Sequence, residues 1–295
     1  MAESKAGKTV ETAYDGIIPT GWLTAYGRTF SDIPYSTEVF EELEKIRQAS
    51  GATDVLTEMK DTKMAPNFEA RHKLINRLVR QTGIHQVLEI AAGISTRGLE
   101  LSSDDSIEYV EVDLPSMMAD KRKVIKALDD KGVVKVGANL HIEDGSALDL
   151  DSLVRAASHF NTDKPIVAVN EGLMRYLTFP EKEVYVKNVR QLLERFGGVW
   201  ITADISLPKV VYKEDDVSTV RRQKMSEITG RDIKKNLFKD EQDAKRFFEN
   251  LGFDVESHSF LEVTGDLTSP RKLSYPADYV EAINGSAVVF VMKLK

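Results

Sequence analysis

The stretch Val87-Leu88-Glu89-Ile90-Ala91-Ala92-Gly93-Ile94-Ser95-Thr96-Arg97-Gly98, followed shortly by Tyr109-Val110-Glu111-Val112-Asp113-Leu114-Pro115, decides the fold. An apolar run enters a turn of small residues, a second apolar run follows, and an Asp stands where that run ends. Such runs, joined by a helix, form the first crossover of an open parallel α/β sheet. Gly93 precedes Asp113 by 20 residues, the spacing that sets a ribose-binding acid beside a glycine-bearing turn in nucleotide-binding units. The turn is not G-x-G-x-x-G, however. Glu89 lies within it, one glycine occupies its tip, and no second glycine brings backbone against a pyrophosphate. The pattern points to a ligand with an adenosine and no pyrophosphate.

Outward from this stretch, strands are predicted at 86–91, 107–112, 140–142, 166–170 and 199–205, separated by helices, hence a parallel sheet with crossovers. Pro115 suits a first helical turn directly after Asp113. Thr178-Phe179-Pro180-Glu181 reads as a capping box opening a helix that Gly197-Gly198 ends. Upstream, Ser36 or Thr37 is expected to cap a helix through Phe40, Leu43 and Ile46 that stops at Gly51. A further helix is expected over 67–81, closed by Gly83. Downstream, the polar stretch 207–239 reads as a helical insertion or lid. A helix over 240–250 then leads into a strand over 253–263, a Gly/Pro-punctuated loop spans 265–284, and a strand covers 287–294. The two closing strands, joined without a helix as regular as the earlier ones, suggest an antiparallel pair. The expected fold class is α/β, a Rossmann-like seven-stranded sheet with an N-terminal helical cap and lid insertions. A frayed polar leader, 1–16, is expected to precede a single domain, 17–295. That domain divides into a cap (17–83), a ligand-binding βαβ core (84–206) and a lid with the closing strands (207–295).

Composition narrows the partners. A chain of 295 residues with 42% hydrophobic and 29% charged residues can bury a sizeable core as one α/β unit. A net charge of -7 and a pI near 5.4 argue against nucleic acid. The basic groups Lys121-Arg122-Lys123 and Arg221-Arg222 are diluted by acids and read as solvated helix faces. The absence of cysteine excludes disulfides, thiolate metal sites and cysteine nucleophiles. No membrane-length or signal-like apolar run occurs, so a cytoplasmic protein with no membrane partner is expected. No His/Asp/Glu cluster has metal-ligand spacing, and no histidine has a pairing that suggests a base.

S-adenosylmethionine is the common ligand with an adenosine and no pyrophosphate, so a methyltransferase is expected. Ala91, Ala92 and Gly93 let a ligand approach the backbone. Glu89 either braces the turn by accepting backbone hydrogen bonds or meets the ligand's charged end. Asp113, followed by Leu114, either accepts two ribose hydroxyls or caps the helix at Pro115. In the loop Glu143-Asp144-Gly145-Ser146-Ala147-Leu148-Asp149, either Asp144 or Asp149 faces the adenine. Glu171, just past the strand expected over 166–170, is costly to desolvate unless its charge is used; an amino group or sulfonium would use it. Arg175 and Tyr176 follow on the same rim and would orient an anionic substrate, unless Arg175 pairs with a surface acid. Arg71 interrupts the apolar stripe Phe68, Ile75, Leu78, Val79 of its helix. It needs an anion there, either a ligand carboxylate or an internal acid.

These segments together resemble the leucine carboxyl methyltransferase family, in particular its bacterial branch of tetracenomycin-type polyketide O-methyltransferases, which are class I S-adenosylmethionine-dependent enzymes. The resemblance rests on Phe68-Glu69-Ala70-Arg71 with Leu74-Ile75-Asn76-Arg77, on 87–93, on 111–115, and on Glu171-Gly172-Leu173 with Tyr176-Leu177. It covers about residues 20 to 205. It implies a cofactor held by Arg71, Gly93, Asp113 and Glu171. Where the family's adenine loop carries an Asp-x-Arg-Asp pattern, this chain reads Ser146-Ala147-Leu148-Asp149, which turns attention to Asp144. The expected chemistry is in-line methyl transfer to an oxygen of a small molecule. The missing histidine base favours a carboxylate over a phenol, which would need Tyr176 or a lid acid. The alternatives are a catalytically inactive S-adenosylmethionine-binding regulatory protein and a dinucleotide-dependent oxidoreductase.

Overall fold

The computed structural model describes residues 18–49, 60–205, 207 and 230–295. The expected leader, the helix end at Gly51 and most of the expected lid lie outside these residues. Seven strands form one sheet: β1 (Gln86–Ile90), β2 (Glu108–Asp113), β3 (Leu140–Asp144), β4 (Ile166–Asn170), β5 (Gly198–Thr202), β6 (Phe253–Ser259) and β7 (Val288–Leu294), in the order β3-β2-β1-β4-β5-β7-β6. The first five run parallel, and β7 is antiparallel to both β5 and β6. The expected antiparallel closing pair is therefore present.

The helices are α1 (Ile18–Arg28), α2 (Ser36–Ala49), α3 (Ala65–Gln81), α4 (Arg97–Leu101), α5 (Pro115–Asp130), α6 (Leu150–Ala156), α7 (Phe179–Phe196), α8 (Glu241–Asn250), α9 (Ser269–Lys272) and α10 (Ala277–Asn284). Alternate strand residues feed opposite faces of the sheet. Val87, Tyr109, Val167, Val169 and Ile201 pack with Trp22 and Leu23 of α1, Val39 of α2, Leu74 and Ile75 of α3, and Met118 of α5. Leu88, Ile90, Val110, Ala168 and Trp200 pack with Leu153 of α6, Tyr185 and Val189 of α7, and Phe248 of α8. Both faces are covered, so β1 and β4 are buried throughout and read in sequence as continuous apolar runs.

Three expectations change. The strand expected over 199–205 ends at Thr202, which frees Asp204 to turn inward. The strand expected over 253–263 ends at Ser259, because Ser259 and Glu262 form a capping box for a 3₁₀ turn over Phe260–Asp266. The loop expected over 265–284 contains α9 and α10; Pro270 lies in the first turn of α9 and Pro276 is the N-cap of α10. Prolines there start helices, where their missing N–H is no loss. The capping box at Thr178 is formed as expected. Among the described residues no helix is long and apolar enough to cross a membrane.

Gly198 opens β5 at φ +106, and a Cβ built there would lie 1.9 Å from the Ile166 carbonyl oxygen. Gly198→Ala is therefore expected to cost about 3 kcal/mol or more, since a left-handed backbone and a backbone clash act together. Urea denaturation of the purified variant measures this.

Candidate active site

The strand order reverses direction between β1 and β4. Open α/β sheets bind ligands in the crevice outside the carboxyl ends of their strands at such a reversal. Four acids stand at or near those ends: Glu89 in β1, Asp113 closing β2, Glu171 after β4 and Asp204 after β5.

Glu171 is the centre of a buried ionic web. Arg28 at the end of α1 donates from Nη2 to it, Arg71 of α3 donates from Nε at 2.7 Å, and Arg97 at the start of α4 donates from Nη2 at 2.6 Å. The Arg97 guanidinium also reaches Glu89 through Nη1 and Asn76 Oδ1 through Nε at 2.7 Å. Tyr109 donates its hydroxyl to the other Glu89 oxygen at 2.8 Å. Three guanidiniums thus face two carboxylates, and the web carries one positive charge in excess. Burial pushes the Arg28 guanidinium down to about 10, and the neighbouring Arg71 and Arg97 push the same way against Glu171. Burial opposes the charge of Glu171, but the three arginines hold its carboxyl well below the usual range. The Arg97 guanidinium is likewise opposed by burial and held above its ordinary value by Glu89 and Glu171.

Glu89 takes side-chain donors, not the backbone N–H groups of the turn. That second task falls to Asp113, whose Oδ2 accepts from Gly93 N at 2.7 Å and whose Oδ1 accepts from Leu114 N at 2.7 Å. Asp113 is not the N-cap of α5; Leu114 occupies that position. Burial raises the Asp113 carboxyl, against the lowering effect of the Leu114 and Gly93 N–H groups. Ala91 has φ +55 and Gly93 φ +52; for Ala91 a left-handed backbone costs about 1–2 kcal/mol. A Cβ at Gly93 would meet no atom within 4 Å, so the tip of the turn faces open space.

Beside Asp113 the loop after β3 is tied in by Gly145 N, which donates to the Asp113 carbonyl at 2.8 Å. Asp144 is in register with Asp113 and pairs with Arg122 at 2.8 Å on the surface. Asp149 caps α6 by accepting from Asp151 N. The Ser146 hydroxyl accepts from Leu148 N, and the Ala147 carbonyl accepts from Asn188 Nδ2 at 3.0 Å. Asp149 is thus spent on its helix, and of the two acids Asp144 is the one at a strand end.

On the far rim, Arg175 is half-buried, makes no ion pair among the described residues, and has a buried Nε without a partner. No surface acid among the described residues pairs with it. Tyr176 is buried at 4% exposure. His72 adjoins the web through Asn76, which contacts its ring at 3.1 Å and accepts from Arg97. His72 is buried against Glu100 and pushed down to about 4 chiefly by burial. His141 and His159 stack on each other at 3.8 Å and face Glu108 and Glu143.

Of the four residues that the resemblance implies for the cofactor, the structure pairs Arg71 with Glu171 and Gly93 with Asp113. The sequence does not single out Arg28, Arg97 or Asp204. Arg97 stood inside the quoted turn, eight residues from Glu89, and an arginine following an apolar strand's buried acid was a usable signal. Arg28 carried none.

The sheet order, with acids at the strand ends, is the arrangement of the class I methyltransferase fold. The fold matches a DUF574-family protein from Streptomyces avermitilis with a TM-score of 0.57 at 16% identity, over 94% of this chain and 97% of that one. A methyltransferase-like structure from Thermobifida fusca matches with a TM-score of 0.52 at 12% identity, over 82% of this chain and 89% of that one. Residues 33–189 match the leucine carboxyl methyltransferase family, and the chain belongs to it. A protein of Mycobacteroides abscessus assigned to the S-adenosyl-L-methionine-dependent methyltransferases is 23% identical, over 72% of this chain and 67% of its own. The tetracenomycin polyketide synthesis O-methyltransferase of Streptomyces glaucescens is 28% identical, over 46% of each chain. The chain thus spans about half to two thirds of the curated relatives it matches.

Proposed function

We propose that the protein transfers the methyl group of S-adenosylmethionine to an oxygen of a small-molecule acceptor, and that this oxygen belongs to a carboxylate. The observation that carries the reading is the web around Glu171, whose one excess positive charge suits a ligand carboxylate and whose acid suits a ligand amino group. Arg71 and Arg28 would take the carboxylate of the cofactor's amino-acid arm, and Glu171 its ammonium. Glu89 holds Arg97 in place behind them. Asp113 would accept the ribose hydroxyls, compensating the burial that raises its carboxyl. Ala91 and Gly93 leave room for the ligand, while Leu114, Asp144, Ser146 and Ala147 line the adenine side.

When bound, the cofactor supplies an electrophilic methyl on a sulfonium that is itself a good leaving group. The protein's contribution is then to align the acceptor and keep water out. A carboxylate acceptor needs no proton removed, which agrees with His72 being buried and tied to Glu100 and Asn76, and with His141 and His159 being paired with Glu108 and Glu143. Arg175 would hold the acceptor's anionic group. Arg175→Gln is expected to raise the acceptor KM about 10- to 100-fold, the worth of one charged hydrogen-bond pair, with cofactor affinity unchanged. Initial-rate kinetics and calorimetry check the two halves.

The activity is tested by incubating the protein with methyl-labelled S-adenosylmethionine and a panel of carboxylic acids and phenols. Label recovered as methanol after mild base identifies a methyl ester and supports a carboxylate acceptor. Base-stable label in a phenol ether would move the acceptor to a hydroxyl. Cofactor binding without transfer to any acceptor would favour the inactive regulatory alternative.

A further inference from the structure

The turn that carries Glu171 is held by a carboxylate from the neighbouring strand. Asp204, two residues beyond β5 and 3% exposed, accepts three consecutive backbone N–H groups: Gly172 at 2.5 Å, Leu173 at 2.6 Å and Met174 at 3.0 Å. It also accepts from Asn170 Nδ2 at 2.7 Å. The Asn170 amide is oriented for this by Trp200 of β5, which donates Nε1 to Asn170 Oδ1 at 2.7 Å. Trp200 is itself fixed edge-on by Tyr185, Phe248 and Phe253. Glu171 therefore sits between two residues, Asn170 and Gly172, that are both tied to one buried acid.

Asp204 makes no ion pair among the described residues. Lys182, whose buried ammonium feels its charge, gives its hydrogen bond to the Asn236 carbonyl instead. Burying an unpaired carboxylate is costly unless its oxygens are satisfied, and here the satisfaction comes wholly from hydrogen-bond donors, three of them in the turn after Glu171. Gly172 has φ +86, so the chain reverses immediately after Glu171 and presents successive N–H groups to one point, an arrangement that binds anions. The direction of Glu171 is thereby set from the backbone side by Asp204 and from the side-chain side by the arginine web.

We propose that Asp204 is a positioning residue that aims Glu171 at the amino group of the cofactor's amino-acid arm. This rests on the reading of Glu171 given above. It makes Asp204 a determinant of affinity for the amino-acid arm and not for the adenosine.

The test uses two probes on the full chain by calorimetry: S-adenosylhomocysteine, which has the amino-acid arm, and 5′-methylthioadenosine, which lacks it. Asp204→Asn is expected to weaken S-adenosylhomocysteine at least about 10-fold while leaving 5′-methylthioadenosine within about 2-fold. Glu171→Gln should show the same selective loss, and the double variant should be no worse than the weaker-binding single, because the two residues act as one unit. Asp204→Glu, which keeps the charge but displaces it by one methylene, is expected to give a smaller loss of the same kind and serves if Asp204→Asn does not fold. Equal losses for both probes would mean that Asp204 merely supports the fold, and full retention of S-adenosylhomocysteine would mean that it does not act on Glu171; either overturns the proposal. Unchanged S-adenosylhomocysteine binding in Glu171→Gln would instead overturn the underlying assignment of Glu171.

Discussion

Arg97→Met is expected to lower the unfolding free energy by about 3–5 kcal/mol, the range for removing one partner of a buried ion pair. Arg97 is fully buried and serves Glu89, Glu171 and Asn76 at once. Methionine preserves most of the volume, so the effect reads the lost charge more than a cavity. Without Arg97, Glu89 keeps only the Tyr109 hydroxyl at 2.8 Å in a site 1% exposed, whereas Glu171 still has Arg28 and Arg71. Glu89 is therefore the residue left stranded. Adding Glu89→Gln to Arg97→Met is expected to restore a sizeable part of the loss, because the pair couples directly. Arg97→Lys should fall between, since one ammonium cannot reach three acceptors with the same geometry. Urea denaturation of the four proteins measures all of this. A single-variant loss under about 1 kcal/mol, ordinary for any substitution, would show that the web does not hold the crevice together.

Asp113→Ala is expected to weaken S-adenosylmethionine binding about 100-fold or more, since two hydrogen bonds to a charged acceptor are worth about 1.5–3 kcal/mol each. The same substitution frees the Gly93 and Leu114 N–H groups, so the turn also loosens and stability falls modestly. Calorimetric titration, run well below the thermal transition, separates the two effects. Asp113→Asn keeps one accepting oxygen but cannot accept at both positions, and is expected to retain an intermediate affinity. NAD serves as the control ligand: binding of NAD in place of S-adenosylmethionine would return the oxidoreductase alternative.

Legibility followed the range of the interaction. The strands β1, β2 and β4 were readable because burial on both faces makes them continuous apolar runs, and the Gly93–Asp113 relation because one crossover spans it. The hydrogen bond from Gly93 N to Asp113 is the physical form of that spacing. Arg71 is readable because it interrupts an apolar stripe, and the anion it meets in the structure is Glu171. The helices α9 and α10 were not readable. Each is short and opens on a proline, and both dock against α3, which local propensity does not encode. Asp204 was hidden inside an apparent strand, because the residues after Thr202 have no local mark to show that the chain leaves the sheet.

The sequence by itself determined the α/β class, the antiparallel closing pair and the family, since these depend on periodicity and on motifs a few tens of residues long. Only the tertiary structure decided which charges meet. Arg28 reaches Glu171 across 143 positions and Arg97 reaches it across 74. Glu89 turned out to bind Arg97 and Tyr109 while Asp113 holds the turn, and Arg175 was left with no acid among the described residues. Hydrophobic patterning is a property of each segment alone, so sequence displays it. A buried charge is stable only with its partner, and that partner is chosen by how the strand ends and helices converge.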